Sequence, residues 1–497
     1  MFFRQFYLAC LAHASYLIGS DGEAAVIDPQ RDVDEYINEA TAKQLSIKYI
    51  IETHLHADFV SGHQELAART GAQIIFGEKA AVEFEHRAVK DGDEIKLGNL
   101  LLRFLETPGH TPEGICVLVS NPSISDEPQK VLTGDTLFIG DVGRPDLAGG
   151  KGYTPQQMAE LMYDSLHGKL LKLPDETEVY PAHGAGSMCG KNMSKETSST
   201  IGEQRKFNYA LKPMSKDEFV KMMTADLAEA PAYFPKDAEI NRSGARGLSE
   251  LSPPKELTPT EVDSMRAAGH VILDIRSAEL FGAGHLAGSI NIGLGGQFAM
   301  WAGSLIPMNA EIVIVAETSA QVDESIVRLA RVGIENVRGY LIADVDQWQR
   351  DGLAIERIKQ LSVSELNERL ASSDLQVLDV RRPAEYQTGH VPGAFHTPLS
   401  ILEKNISNLT LRTEPFGQQK GPARHIVNFR GSKQFRLSAS RKISIDVDAL
   451  NMFNTNVAWG SPTGAGPGFN YASGPTFGQV LRIVTPRSVR FGVGFEF

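Results

Sequence analysis

Four short clusters place imidazoles and carboxylates beside tight turns at the ends of apolar runs. His54-Leu55-His56-Ala57-Asp58-Phe59 follows Tyr49-Ile50-Ile51-Glu52; later come Thr107-Pro108-Gly109-His110-Thr111, Gly134-Asp135-Thr136 and Tyr180-Pro181-Ala182-His183-Gly184. Imidazole nitrogen and carboxylate oxygen are ordinary protein ligands of divalent first-row metals. A single buried histidine is more often satisfied by hydrogen bonds than by an ion. Clusters repeated in order, the three later ones each beside a Gly or Pro turn, instead point to a metal centre at strand ends, where α/β sheets gather their chemistry.

The elements that must position these groups read as alternating β-rich and helical runs. Strands are expected at Ala25 to Asp28, Lys48 to Glu52 and Gln73 to Phe76, with helices at Val33 to Lys43 and Gly62 to Arg69. That alternation is α/β layering. At 497 residues and 42% hydrophobic content the chain exceeds one ordinary core and should divide into about three domains. A Pro-rich linker, Leu251-Ser252-Pro253-Pro254-Lys255, precedes an internal repeat. Leu273-Asp274-Ile275-Arg276 with Gly284-His285-Leu286-Ala287-Gly288 matches Leu378-Asp379-Val380-Arg381 with Gly389-His390-Val391-Pro392-Gly393 at constant spacing. The first copy runs on through Ile312-Val313-Ile314-Val315, a helix Asp323 to Arg331 and Val337-Arg338-Gly339-Tyr340; the second stops near Leu409.

Net charge is -12, yet residues 424–497 alone carry nine Lys or Arg against three Asp or Glu. The acidic body and the lack of a run of adjacent Lys and Arg in that tail argue against a nucleic-acid partner. Cys10, Cys116 and Cys189 form no CxxC pair, so neither a disulfide framework nor a zinc ribbon is indicated and a reducing compartment is expected. Met1 to Gly19 loosely imitates a secretory signal through an early Arg and Ala12-His13-Ala14. Polar residues break it, and it runs into the strand-like Glu23 to Pro29, so the reading taken is the first strands of a cytoplasmic domain. No apolar run approaches the roughly 18 residues of a spanning helix.

The clusters resemble the HxHxDH, later His, Asp and final His motifs of the metallo-β-lactamase superfamily. The resemblance implies a four-layer αββα sandwich over residues 1–235, with a metal at one edge. One position departs from the two-zinc hydrolases of that superfamily: where they carry the last His of HxHxDH, this chain has Phe59. A phenyl ring cannot coordinate, so a zinc pair is disfavoured. His54, His110 and Asp135 remain, with three positions left for water, substrate and oxygen, an arrangement suited to one Fe(II) per chain. This set, and the block Gly134 to Leu147, resemble persulfide dioxygenases. The activity implied is iron-dependent oxidation of a low-molecular-weight thiol persulfide by O2 to sulfite and free thiol. By the same resemblance His56, Asp58 and His183 orient ligands or bound water, or persist as a residual second site. Arg144 would pair with a carboxylate of the thiol carrier, and Cys189 would meet the persulfide; a surface Arg and an inert buried thiol are the alternatives. Cys10 and Cys116, in strand-like runs, read as core. Zinc-dependent thiolester hydrolysis of the glyoxalase II type is the rival reading, and a non-functional fusion product is the third. Relatives of this layout are commonly homo-oligomers.

The repeat resembles rhodanese domains. Their chemistry needs a thiolate at a helix N-terminus; the corresponding place in residues 250–360 falls near Ala316 and Glu317, where there is no Cys. A pseudo-rhodanese without sulfurtransferase activity is therefore expected there, followed by a truncated second unit at 361–410 whose nucleophile loop would fall near Gly421 and Pro422. Residues 424–497 resemble the C-terminal end of a TonB-dependent outer-membrane receptor, through Asp446 to Asn454, the closing Arg490 to Phe497 and an alternation ending in an aromatic residue. A few strands cannot close a barrel, so no functional membrane insertion is expected of this tail.

Overall fold

The computed structural model describes residues 1–399 apart from 192, 226, 228, 229, 373, 374 and 382, then residue 402 and the strands Gln434–Ser438, Ser440–Leu450 and Ser488–Glu496. Contacts divide the chain into two units, Met1–Ile358 and Lys359–Phe497.

The first unit opens with two six-stranded sheets. One runs β1 (Phe2–Leu8), β2 (His13–Ser20), β3 (Glu23–Ile27), β4 (Ser46–Ile51), β5 (Gln73–Gly77) and β6 (Arg87–Val89) in sequence order. The other contains β7 (Glu94–Leu97), β8 (Leu100–Glu106), β9 (Ile115–Ser120), β10 (Lys130–Gly134), β11 (Glu178–Pro181) and β12 (Ser199–Thr200), with order β12-β11-β10-β9-β8-β7. Side chains alternate across a strand, and the packing follows that period. Tyr16, Ile18, Ala25 and Ile27 meet Phe104, Ile115, Val117 and Val119 between the sheets. Leu17, Ala24 and Val26 face the other way, onto Tyr36 and Ala40 of α1 (Asp34–Ala42) and Leu66 of α2 (His63–Thr70). Cys116 and Leu118 likewise turn outward onto Ala159 and Met162 of α3 (Pro155–Gly168). The result is the αββα sandwich. The segment that loosely imitates a secretory signal forms the hairpin β1–β2, paired from Phe2↔Gly19 to Leu8↔His13.

Further helices follow: α4 (Ile201–Phe207), α5 (Lys216–Thr224) and α6 (Phe234–Ser243). A five-stranded sheet then combines β13 (Lys255–Glu256), β14 (Val271–Asp274), β16 (Ile290–Asn291), β17 (Ile312–Ala316) and β18 (Val337–Ile342), with β15 (His285–Leu286) pairing β19 (Ile355–Glu356) apart from it. Its helices are α7 (Pro259–Ala267), α8 (Ala278–Ala283), α9 (Phe298–Leu305), α10 (Ser319–Ala330) and α11 (Val345–Arg350). Strands β14, β16, β17 and β18 are mutually parallel, as βαβ connections require. Asp274 closes the strand-end turn by gripping Arg276, whose Nη2 also reaches the carbonyl of Gly284 at 2.9 Å. The repeated Asp379 and Arg381 make the same grip, with Gly389 at 2.8 Å.

This parallel sheet does not stand apart from the sandwich. Leu11, Ala57, Phe59, Phe138, Tyr233 and Phe234 share one apolar cluster with Ile275, Phe298, Ala299 and Ala302. Polar contacts reinforce it. Arg31 reaches Glu335 at 2.8 Å, Arg331 reaches Asp32 at 2.8 Å, and Val60 N donates to the Arg331 carbonyl at 2.7 Å.

In the second unit, α12 (Val363–Ser372), β20 (Leu378–Asp379), α13 (Pro383–Thr388) and β21 (Phe395–His396) follow the start of the repeat. Beyond them β22 (Gln434–Ser438), β23 (Ser440–Leu450) and β24 (Ser488–Glu496) make an antiparallel sheet, with β23 and β24 paired from Lys442↔Glu496 to Leu450↔Ser488. The segments Lys442 to Asp448 and Val489 to Glu496 thus lie in paired strands, Phe497 falling outside the described residues. The loop expected near Gly421 and Pro422 lies outside the described residues, as does most of the receptor-like tail. Among the described residues no helix is long and apolar enough to cross a membrane.

Candidate metal centre

The first strand that matters is β4. It ends at Ile51, and the chain turns through Glu52 and Thr53 to bring His54 to the sheet edge. His110 comes from the turn after β8, Asp135 from the end of β10 and His183 from the end of β11. Gly134 takes φ +51°, where an added Cβ would collide with Thr53 at 2.4 Å. Gly143 leaves room for the Asp135 carbonyl, which a Cβ would meet at 2.1 Å. Glycine is required at both places because no side chain fits.

His54, His110 and Asp135 converge as a group whose ligand atoms lie within 4.8 Å of one another. Asp135 Oδ2 is 3.4 Å from His110 Nε2 and 3.8 Å from His54 Nε2. His54 Nε2 and Asp135 Oδ2 are buried with no hydrogen-bond partner among the described residues. Buried polar atoms are almost always satisfied, and these unsatisfied ones aim at a common recess of about 160 Å³. The opposite ring nitrogens are spoken for. His110 Nδ1 sits 3.0 Å from the Arg144 carbonyl, so it donates there and leaves Nε2 its lone pair. His54 Nδ1 lies 3.0 Å from Thr53 Oγ1, which donates to Asp28 Oδ2 at 2.9 Å. Such outer partners fix the tautomer a metal needs. Burial, then the neighbouring His56, push His54 well below the ordinary imidazole range, keeping it neutral. Burial would raise Asp135, but His183 and His54 outweigh it and hold the carboxyl well below its usual value. Two imidazoles and one carboxylate converging on one recess fit a divalent cation.

His183 bridges two carboxylates: Nδ1 lies 2.8 Å from Asp135 Oδ1 and Nε2 lies 2.8 Å from Asp58 Oδ2. Burial opposes its charge, yet Asp135 and Asp58 carry it up to about 10. His56 turns its Nε2 to Asp28 Oδ1 at 3.1 Å and to Glu52 Oε2 at 3.3 Å. Burial works against charge on Glu52, but hydrogen bonds from His56 and His63 bring it down to about 2. Phe59 is fully buried and packs its ring 4.1 Å from His13 and 4.5 Å from His56.

Arg144 is buried rather than on the surface, and its guanidinium makes a two-pronged contact with Asp146 at 2.7 and 2.6 Å. Cys189 is buried beside Asp58 and His183, and burial raises its thiol well above the ordinary range. Cys116 is fully buried, whereas Cys10 is half-buried and accepts from Arg331 Nη1 at 3.6 Å.

Other residues that the sequence reading did not single out complete these surroundings. His13 is buried at the start of β2, with neither ring nitrogen hydrogen-bonded among the described residues. Asp28, Glu52 and His63 surround His56. Asn241 of α6 donates to the carbonyls of His56 at 2.8 Å and Phe59 at 2.7 Å, and accepts from Ser61 N at 2.8 Å. One amide thereby fixes the loop that carries His56 to Ser61. Asn241→Ala is expected to weaken metal binding about 10–100-fold, as loss of an outer-sphere partner does; chelator competition measures it, and an unchanged affinity would refute the role.

The metallo-beta-lactamase superfamily model matches residues 8–183, and the rhodanese-like domain model matches 258–351 and 362–444. Mitochondrial persulfide dioxygenase ETHE1 of Bos taurus is 32% identical over 219 residues, 42% of this chain and 75% of that protein. The hydroxyacylglutathione hydrolase of Polaromonas sp. is 35% identical over 174 residues, 34% of this chain and 61% of the relative. A solved metallo-beta-lactamase from Staphylococcus aureus subsp. aureus COL matches at TM-score 0.62 and 32% identity, covering 69% of this chain and 99% of that one. With that fold, site and likeness, the chain belongs to the metallo-β-lactamase superfamily. Rhodanese-like sequence follows that domain, and its second stretch extends past the point near Leu409 where the sequence pattern stops.

Proposed function

We propose that the chain is an iron-dependent persulfide dioxygenase, converting a thiol persulfide, O2 and water into the free thiol and sulfite. The observation that carries this reading is Phe59, a fully buried ring standing where a second-metal imidazole would be. Likeness to the bovine persulfide dioxygenase supports it. His54, His110 and Asp135 would hold the iron. Bound Fe(II) would supply the site at which persulfide sulfur and O2 meet. The chain's own contribution is electrostatic and positional. His110 and His54 are aimed by Arg144 O and Thr53, and burial keeps His54 neutral. Asp135 is kept ionised, and His183, held between Asp135 and Asp58, can move a proton at Nε2. His56 would steady the loop from its carboxylate pair. Cys189 would border the persulfide, and Arg144 would shape the loop around it through Asp146. Residues 1–235 would form the dioxygenase domain and 250–360 a rhodanese-like domain without sulfurtransferase activity, having no thiol at the turn from Ala316 to α10.

Purified protein is expected to contain about one iron per chain and to consume O2 with glutathione persulfide or coenzyme A persulfide. Zinc-dependent thiolester hydrolysis is the second reading, favoured by the identity to the Polaromonas hydrolase. A two-zinc protein that hydrolyses S-lactoylglutathione and leaves O2 untouched would reverse the assignment. For residues 424–497 we propose a receptor-like end joined to a truncated enzyme, in a cytoplasmic homo-oligomer. Single genomic reads crossing codons 405–425 test the junction.

A further inference from the structure

A groove of about 180 Å³ lies where the sandwich meets the parallel sheet, bordered by Leu11, Met188, Tyr233 and Phe234, by Met300 of α9 and by Asp58. The helix α9 is pressed closely onto it. Gly303, three residues on from Met300 and so on the same helix face, lies against the Tyr233 ring, which an added Cβ would meet at 2.9 Å. Both sides of the groove are therefore largely apolar, and one carboxylate stands between them.

Asp58 Oδ2 takes His183 Nε2 at 2.8 Å, whereas Oδ1 is buried without a hydrogen-bond partner among the described residues. An unanswered oxygen of that kind is costly. With Phe59 where a second-metal imidazole would stand, no second ion answers it. Its partner must come from what fills the groove. Among the described residues no Lys or Arg borders the groove or the metal recess. Arg144, whose Nη1 donates to the Met188 carbonyl at 3.4 Å, is gripped by Asp146. An anionic arm would thus find no counter-charge beside Asp58, whereas an N–H would find a carboxylate oxygen.

Asp58 stands one imidazole ring away from Asp135, with His183 bonding each at 2.8 Å. A donor to Asp58 must therefore lie only a few bonds from the sulfur that reaches the metal edge. We propose that the groove receives the arm of the thiol carrier. Asp58 Oδ1 accepts from an N–H set two carbons from the persulfide sulfur, and Met300 closes the apolar wall over the arm. The substrate class so named is the β-amidothiol and β-aminothiol persulfides, whose acidic groups, where present, stay farther out. The thioethers of Met188 and Met300 suit such an arm, being polarizable and adaptable in shape. The inference rests on the dioxygenase reading in taking the occupant to be a persulfide.

Two probes matched except at the donor test it: N-acetylcysteamine, whose amide N–H lies two carbons from sulfur, and O-acetyl-2-mercaptoethanol, whose ester oxygen takes that place. Saturation-transfer NMR titration of the metal-free full chain, under reduction, reads both dissociation constants without turnover. The amide should bind about 10–100-fold more tightly, the size of a hydrogen bond to a charged group. The same ratio should appear in kcat/KM for O2 consumption with the two persulfides on iron-loaded protein. In Asp58→Asn the side-chain oxygen stays on His183 Nε2 and the NH2 turns to the groove, so the preference should vanish or reverse. Met300→Ala should weaken both probes and leave their ratio. Equal binding of amide and ester, binding of neither, or a preference that survives Asp58→Asn would overturn the proposal. Amide-selective binding without O2 consumption from either persulfide would sink the dioxygenase reading instead and leave the groove's assignment standing.

Discussion

Asp135→Asn is expected to strip the site of its metal, lowering metal affinity by more than the roughly 100-fold that loss of an outer partner costs, and on the proposed dioxygenase reading O2 consumption should fall at least as far. The argument rests on what one carboxylate touches. Its Oδ2 faces both His54 and His110, and its Oδ1 holds His183. Asparagine keeps the shape but not the charge. Its amide could satisfy one contact only by turning an N–H toward a neutral imidazole nitrogen or toward the cation. Equilibrium dialysis against iron, beside circular dichroism to establish folding, gives the measurement. A folded variant with wild-type affinity would remove Asp135 from the ligand set.

Phe59→Ala is expected to destabilise the first unit by about 3–5 kcal/mol, the range for deleting a buried phenyl ring. The ring is 0% exposed and sits in the cluster that joins Leu11, Phe138, Tyr233 and Phe234 to Phe298 and Ala302. Its neighbours include the rings of His13 and His56, so the hole would open directly beside the metal loop. Denaturant unfolding of metal-free protein isolates the packing contribution from any change in metal retention. A midpoint unmoved from wild type would show that the surroundings collapse into the space.

The two predictions draw on unequal amounts of sequence information. His110, Asp135 and His183 were legible because each is a polar ligand beside a Gly or Pro turn after an apolar run, and His54 because it opens the dense cluster His54-Leu55-His56-Ala57-Asp58 directly after the strand that ends at Ile51. The strands were legible for a different reason: Glu23–Ile27 and Ile115–Ser120 are short, nearly continuous apolar runs, as strands covered on both faces require, while which residues face inward is shown only by the packing. Asn241 was not, since it acts on a loop 180 residues earlier and nothing in Glu239-Ile240-Asn241-Arg242 marks it. His13 was hidden in a stretch that imitates a leader. Glu52 did carry a signal, a charged residue closing the apolar run before Thr53-His54, yet only the fold shows that it meets His56 and His63. Arg144 was the opposite case. Its place in a characteristic loop suggested a ligand contact, and Asp146, two residues on, had the better geometry.

The apolar cluster shared by the sandwich and the parallel sheet constrains how this chain can be altered. A cut at the Pro-rich linker near residue 251 would bare Phe298, Ala299 and Ala302 on one fragment and Phe59, Tyr233 and Phe234 on the other. Neither piece could be exchanged as an independent cassette. The parallel-sheet unit, which carries no thiol at the turn from Ala316 to α10, thus serves the sandwich as a wall of its core whatever chemistry it performs.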